Sequence, residues 1–164
     1  MYIDYKLEFT YRTKKLVEQS HTIRNMFGLE VTFLLNCFGG LVIAVWEFKK
    51  DDEQFLATPL DEDFLRYFKS LQLVLDRQLV EINSPERKRQ AFQRYTKRDI
   101  LEKLRNSISR QNINSIADNG QWTGVTMWNE IANKKERDFE VEMDIEKLRS
   151  LSLAIADAYI NTLT

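Results

Sequence analysis

The sequence predicts a mainly α-helical fold: a bundle of four to five helices with one small β-hairpin inserted before the last helix. Two properties of the whole chain lead to this class. Only 5 Gly and 2 Pro occur among the 164 residues, which disfavours a loop-rich or all-β protein. Apolar residues recur at three- and four-residue spacing along most of the chain, as they do on the buried faces of helices. The length is that of a single domain over residues 1–164.

The first two helices are predicted over about residues 4–27 and 29–48, with Gly28 ending the first. The first contains His21, the one histidine of the chain, and a lone histidine on a helix is usually structural or solvated. The second contains VTFLLNCFGGLVIAVW (31–46), an uncharged run of 16 residues. A membrane span needs roughly 20 such residues, so we interpret this run as a central helix buried on all sides and expect no membrane.

The third and fourth helices are predicted over about residues 61–82 and 86–109. Asp61 is a suitable N-cap for the third helix. Pro85 lies near the first turn of the fourth, where its missing N–H costs no hydrogen bond. Helical spacing in the third helix rests on six apolar residues. They are Phe64, Leu65, Phe68, Leu71, Leu75 and Leu79.

The period of the pattern changes after the fourth helix. Apolar and polar residues alternate in GVTMWNEI (124–131) and in DFEVEM (138–143), which is typical of half-buried strands. The two runs therefore predict a β-hairpin over about residues 123–143. Asp144 caps the last helix, which covers about residues 145–162.

Charge and composition exclude several classes of function. The 24 Lys and Arg residues nearly balance 25 Asp and Glu, so a nucleic acid would have to bind a local patch. Cys37 is the one cysteine, which excludes an intramolecular disulfide and favours a reducing, cytoplasmic setting. The sequence has no Gly-rich phosphate loop, no His/Cys cluster and no GxSxG elbow. We therefore expect neither a metal site nor a cofactor.

The segment KLRNSISRQN (103–112) lies at the end of the fourth helix. It contains two arginines, Arg105 and Arg110, on either side of a short, mostly polar run. Arg105 lies at the edge of an apolar face, a costly position unless its charge meets an anion or a carboxylate. That face is formed by Leu101, Leu104 and Ile108. Arg110 lies about 140° further round the helix, so the two side chains do not converge on one ideal helix. They could act together if the helix ends near Ser109 or if a two-fold partner supplies the second pair; otherwise Arg110 only neutralises the helix dipole.

This run resembles the motif of the HEPN superfamily, compact helical ribonuclease and nucleotide-binding domains. The motif is an arginine, a polar residue that is often asparagine, three further residues and a histidine. Arg105 and Asn106 match it, and Arg110 stands where the histidine should be. Three other segments are similar to the plasmid-borne, single-domain branch of these proteins. They are TFLLNCFGGLVI (32–43), WTGVTMWN (122–129) and DFEVEMDIEKLRSLSLAIADAYI (138–160).

The resemblance implies a homodimer that cleaves RNA without a metal ion, in a toxin or phage-defence role, with both motifs in one cleft. Arg105 would stabilise the charge on the phosphate, and Asn106 would orient Arg105. Ser109 and Arg110 complete the candidate catalytic set. Arginine stays protonated and cannot replace the histidine as general base, so we expect an inactive or impaired enzyme. The alternative is a non-catalytic module that binds RNA, a nucleotide or another protein. The resemblance leaves open whether an antitoxin or a nucleotidyltransferase is a partner of this chain.

Two further features of the sequence could support such a site. The segment RKRQAFQRYTKR (87–98) is a candidate path for an RNA backbone through Arg94, Lys97 and Arg98. The alternative is a solvated basic face whose aromatic residues turn into the core. Asn36, a polar residue in the predicted buried helix, needs a hydrogen-bond partner, either Arg105 or another helix.

Overall fold

The computed structural model describes residues 5–20, 22 and 30–163, and over these residues it has six helices and one five-stranded antiparallel sheet. The elements in chain order are α1 (Tyr5–Glu18), α2 (Glu30–Lys49), α3 (Glu62–Leu65), β1 (Ser70–Leu75), β2 (Gln78–Glu81), α4 (Pro85–Arg94), α5 (Lys97–Ser109), β3 (Ile113–Asp118), β4 (Gln121–Glu130), β5 (Arg137–Asp144) and α6 (Ile145–Asn161). The fold is therefore α+β. His21 and Gly28 lie outside the described residues.

The prediction of a mainly α-helical bundle with one small hairpin is wrong, because the sheet is a major layer with strand order β2-β1-β5-β4-β3. The helix predicted over residues 61–82 is instead the single turn α3 followed by the hairpin β1–β2. In β1 the leucines alternate with less buried residues and all face the core. The turn that joins the two strands has positive φ at Asp76 and Arg77, 49° and 68°. This is the type I′ pattern, and no glycine marks it in the sequence.

The helix predicted over residues 86–109 is also corrected, since it is two helices, α4 and α5. The chain is extended at Tyr95 and Thr96, where α5 begins with a capping box. The Thr96 hydroxyl accepts a hydrogen bond from the Asp99 N–H, and the Asp99 carboxylate accepts one from the Thr96 N–H at 2.7 Å. The capping box of Thr96 and Asp99 thus begins a new helix within a pattern of residues that predicts one continuous helix.

The hairpin predicted over residues 123–143 is present as β4 and β5, the inner part of the sheet. Their buried residues pair across the strands, as Met127 does with Val141. Helices α5 and α6 lie against this buried face, and α2 packs on both of them. The edge strands are β2 and β3, and the β3–β4 register shifts between Ile116 and Ala117.

Helix α2 is the centre of the helical layer. By length and composition alone it could cross a membrane, with a mean hydropathy of 1.8, yet it packs against α1, α5 and α6. Leu34, Phe38 and Leu41 are fully buried there. The interpretation of this helix as buried on all sides is wrong, because Asn36 and Glu47 are exposed. One stripe of α2 therefore faces outward, beside α5.

Candidate functional site

The motif occupies the last turn of α5, and the geometry of the helix end fixes where its side chains point. Gln111 adopts a left-handed conformation, with φ of 58°. The N–H groups of Gln111 and Asn112 then donate to the carbonyls of Ile108 and Ser107 at 3.1 and 2.8 Å. This is a Schellman motif, built without the usual glycine. It ends the helix at Ser109, with Arg110 as the C-cap.

The Arg105 side chain lies in the angle between α5 and α2 and is 34% exposed. Its Nη1 donates to Asn106 Oδ1 at 3.0 Å, and its Nη2 donates to Glu47 Oε1 at 3.1 Å. Its Nε is buried and has no partner among the described residues. Glu47 also accepts from Lys50, and this bond, with a weaker contribution from Arg105, holds the pKa of Glu47 below its usual value. Glu47 is thus the carboxylate that an arginine at the edge of an apolar face requires.

Arg110 points away from Arg105. Its Nη1 donates to the carbonyl of Glu130, at the end of β4, at 2.9 Å, and its side chain is exposed. Ser109, the other predicted catalytic residue of this turn, is exposed as well. Within one chain the structure therefore joins Arg105 to Asn106 but does not bring Arg110 to them.

The predicted RNA-binding residues each contact a different group. Arg94 pairs with Asp76 at 3.1 Å, and Lys97 pairs with Asp61 at 2.9 Å. Arg98 donates to the carbonyl of Asp52 at 3.3 Å and lies over the ring of Trp46. The two side chains to which Arg105 donates are those of Asn106 and Glu47, and of the three predicted residues Arg94 lines a cavity together with Asn106. The supporting role predicted for Asn36 is not found either, because this residue is exposed and is not a hydrogen-bond partner of Arg105 in the described part of the chain.

A polar cavity of about 310 Å³ opens beside Asn106, between α5 and the ends of β4 and β5. Its lining residues are Arg94, Tyr95, Asp99, Glu102, Lys103, Asn106, Asn129 and Asp138. Asp138 is its central group: it accepts from Lys103 Nζ at 2.6 Å and from Asn129 Nδ2 at 2.7 Å. The Lys103 and Asp138 side chains are only 18% and 20% exposed, so this ion pair is largely shielded from water.

Asn129 is a buried polar residue in the lining of this cavity. It is 94% buried on the core face of β4, and its Oδ1 has no hydrogen-bond partner within the described residues. Sequence reasoning missed it, although a signal exists: Asn129 continues the buried alternation of Val125 and Met127, where an apolar residue belongs. Buried polar atoms in proteins are normally hydrogen-bonded, so the unpartnered Oδ1 is unusual.

Tyr95 forms an aromatic wall of the same cavity and is held in place. Its hydroxyl donates to the carbonyl of Val74 at 2.9 Å. Burial raises the pKa of Tyr95 above its usual value, and the negative charge of Asp138 raises it further. The hydroxyl therefore stays protonated at neutral pH and keeps this hydrogen bond.

The structure thus places an arginine near the end of a core helix and binds it to the asparagine that follows it, Arg105 and Asn106. The chain matches the family described as HEPN pEK499 p136 over residues 1–164, and it belongs to that family. The resemblance predicted from the motif is thereby confirmed. No curated protein and no solved structure matches the chain at a significant level.

Proposed function

We propose that this chain is a HEPN-type ribonuclease scaffold, of the toxin or phage-defence type, that binds RNA but is inactive or strongly impaired in cleavage. The observation that carries the proposal is the hydrogen bond of 3.0 Å between Arg105 Nη1 and Asn106 Oδ1. It holds the guanidinium at the surface in one orientation. A guanidinium fixed in this way is suited to bind a phosphate through paired hydrogen bonds and to stabilise its charge.

The cleavage chemistry expected of the family needs a proton acceptor. A base removes the proton of the ribose 2′-OH, the oxygen attacks the adjacent phosphorus, and the 5′-oxygen leaves, giving a 2′,3′-cyclic phosphate. Arg110 at the histidine position cannot accept that proton, because its guanidinium is already protonated at any working pH. Loss of a general base costs about 10²–10⁴-fold in rate, which is the impairment we propose.

The proposal includes a homodimer in the cytoplasm. In one chain Arg105 and Arg110 point to different neighbours, Glu47 and the carbonyl of Glu130. A second copy that brings its own motif into the same cleft would supply the converging groups that a single chain lacks. The second copy would contribute additional guanidinium groups in fixed positions, and these bind phosphate whether or not cleavage follows.

The test restores the missing base. Arg110→His should raise cleavage of a single-stranded RNA by about 10²–10⁴-fold, and the products should end in a 2′,3′-cyclic phosphate. Adding Arg105→Ala to Arg110→His should remove that gain while leaving the fold intact. If a folded, dimeric Arg110→His variant cleaves no better than the present chain, the proposed loss of a general base is wrong.

A second function, RNA or nucleotide binding without any cleavage machinery, is favoured by one observation: both motif arginines already hold stable partners. Arg105 is bound by Asn106 and Glu47, and Arg110 by the carbonyl of Glu130. Salt-dependent RNA binding that needs Arg105 but never leads to cleavage, even in the Arg110→His variant, would select this function.

A further inference from the structure

A carboxylate of the chain itself contacts the guanidinium to which the proposed function assigns a phosphate. Arg105 Nη2 donates to Glu47 Oε1 at 3.1 Å, which joins the end of α5 to the end of α2. A carboxylate and a phosphodiester both offer a guanidinium two oxygen acceptors that share one negative charge. A phosphate that binds Arg105 therefore competes with Glu47.

The donors of Arg105 make this competition direct. A guanidinium has five N–H groups on three nitrogens. Nε is buried, Nη1 donates to Asn106, and Nη2 donates to Glu47. Because Nε is closed to solvent, paired hydrogen bonds to a phosphate must come from Nη1 and Nη2 together. Glu47 thus lies against a nitrogen that the phosphate has to use.

The Glu47 carboxylate is charged, yet it is free to be displaced. A hydrogen bond from Lys50 Nζ to Glu47 Oε2, of 2.9 Å, holds the pKa of Glu47 below its usual value, so the carboxylate is ionised at neutral pH. Its side chain is 40% exposed, and ion pairs this exposed contribute little to stability. After displacement from Arg105 the carboxylate still has Lys50 as a partner.

From these contacts we infer that Glu47 is an internal competitor of RNA at Arg105. In the free chain it neutralises the guanidinium, and when a phosphate binds it is held by Lys50 alone. The inference rests on the proposed RNA binding. Asn106 acts differently, because its amide oxygen is uncharged and orients the guanidinium without cancelling its charge. The affinity for RNA is therefore lower than Arg105 and Asn106 alone would give.

The test removes the charge of Glu47 and keeps its shape. Glu47→Gln, checked for native circular dichroism, should bind a labelled octauridylate about 3–10-fold more tightly in fluorescence anisotropy at low salt. The slope of log Kd against log salt concentration should steepen by about 0.7, because one more cation is available to the RNA. The matched control is Asp118→Asn, the same change of net charge on an exposed residue at the far end of β3. It should change the affinity less than twofold, since distant exposed charges are screened.

A double variant shows whether the gain acts through the motif. Adding Glu47→Gln to Arg105→Ala should change the affinity less than twofold, because the guanidinium that Glu47 neutralises is gone. A gain that persists there, or that Asp118→Asn reproduces, is a general effect of charge and overturns the inference.

Two further outcomes separate this inference from the proposed function. If the unaltered chain binds RNA through Arg105 and Glu47→Gln binds equally well or more weakly, Glu47 only supports the guanidinium. The inference then fails and the RNA-binding proposal survives. If neither the unaltered chain nor Glu47→Gln binds the octauridylate, the proposed function itself fails, and the competition with it.

Discussion

Replacing Asp138 with alanine probes the cavity network through the stability of the protein. The substitution removes the acceptor of two hydrogen bonds, from Lys103 at 2.6 Å and from Asn129 at 2.7 Å. It leaves an ammonium group that is 18% exposed and an amide that is 94% buried, each without the acceptor to which it donates in the structure. Both groups were desolvated on folding, so the loss should be larger than for a surface ion pair.

The expected magnitude follows from the two bonds. A hydrogen bond to a charged group contributes about 1.5–3 kcal/mol, and water that reaches the partly exposed Lys103 recovers some of this. We therefore expect Asp138→Ala to lower the free energy of unfolding by about 2–4 kcal/mol. For a chain of this length that corresponds to a fall in Tm of about 4–16 °C.

Urea unfolding followed by far-UV circular dichroism measures this change, with an unaltered m-value as the check that the denatured state is the same. Asp118→Ala, an exposed carboxylate at the end of β3, is the matched control and should stay within about 0.5 kcal/mol. In a double-mutant cycle, Lys103→Met combined with Asp138→Ala should cost less than the two single changes together, by about 1–3 kcal/mol. A loss below about 1 kcal/mol, or strict additivity, would refute the view of a shielded network.

Three further predictions concern other parts of the fold. Gln111→Gly should raise the free energy of unfolding by about 0.5–1 kcal/mol, since glycine adopts the positive φ of 58° without steric cost; an unchanged urea midpoint would contradict this. Gly124→Ala should destabilise by about 1–3 kcal/mol, because the new Cβ would lie 2.4 Å from the Met143 carbonyl oxygen; a neutral result would exclude that close contact. Burial raises the pKa of the Cys37 thiol, so at pH 8 a thiol reagent should label it far more slowly in the native protein than in urea, and equal rates would show it accessible.

The sequence predicted those elements whose pattern is unambiguous over a short range. Helix α2, the last helix and the β4–β5 hairpin follow from such patterns. Strand β1 was missed because Leu71 and Leu75 fit both a helical spacing and a strand alternation, and only pairing with β5 selects the strand. The break before α5 was missed because Thr96 sits in an otherwise continuous helical pattern.

In the candidate site, too, one part could be predicted from the sequence and another part depends on the three-dimensional fold. The pairing of Arg105 with a carboxylate could be expected from the position of the arginine on its helix, although not the identity of Glu47. The cavity could not be predicted, because Lys103 and Asp138 are 35 residues apart and meet only once α5 has docked on the sheet. Asn129 was visible as a polar residue in a buried alternation, but its unpaired oxygen depends on the three-dimensional arrangement.

The edges of the sheet have a consequence for how two copies can assemble. Strand β2 has four residues and ends in Glu81, while β3 is interrupted by its register shift and exposes Asn114, Ser115 and Asp118. Short, polar and irregular edges resist pairing with a strand of another molecule. A continuous sheet running through two copies is therefore disfavoured, and the proposed homodimer would associate through the helical surfaces, where the motif lies.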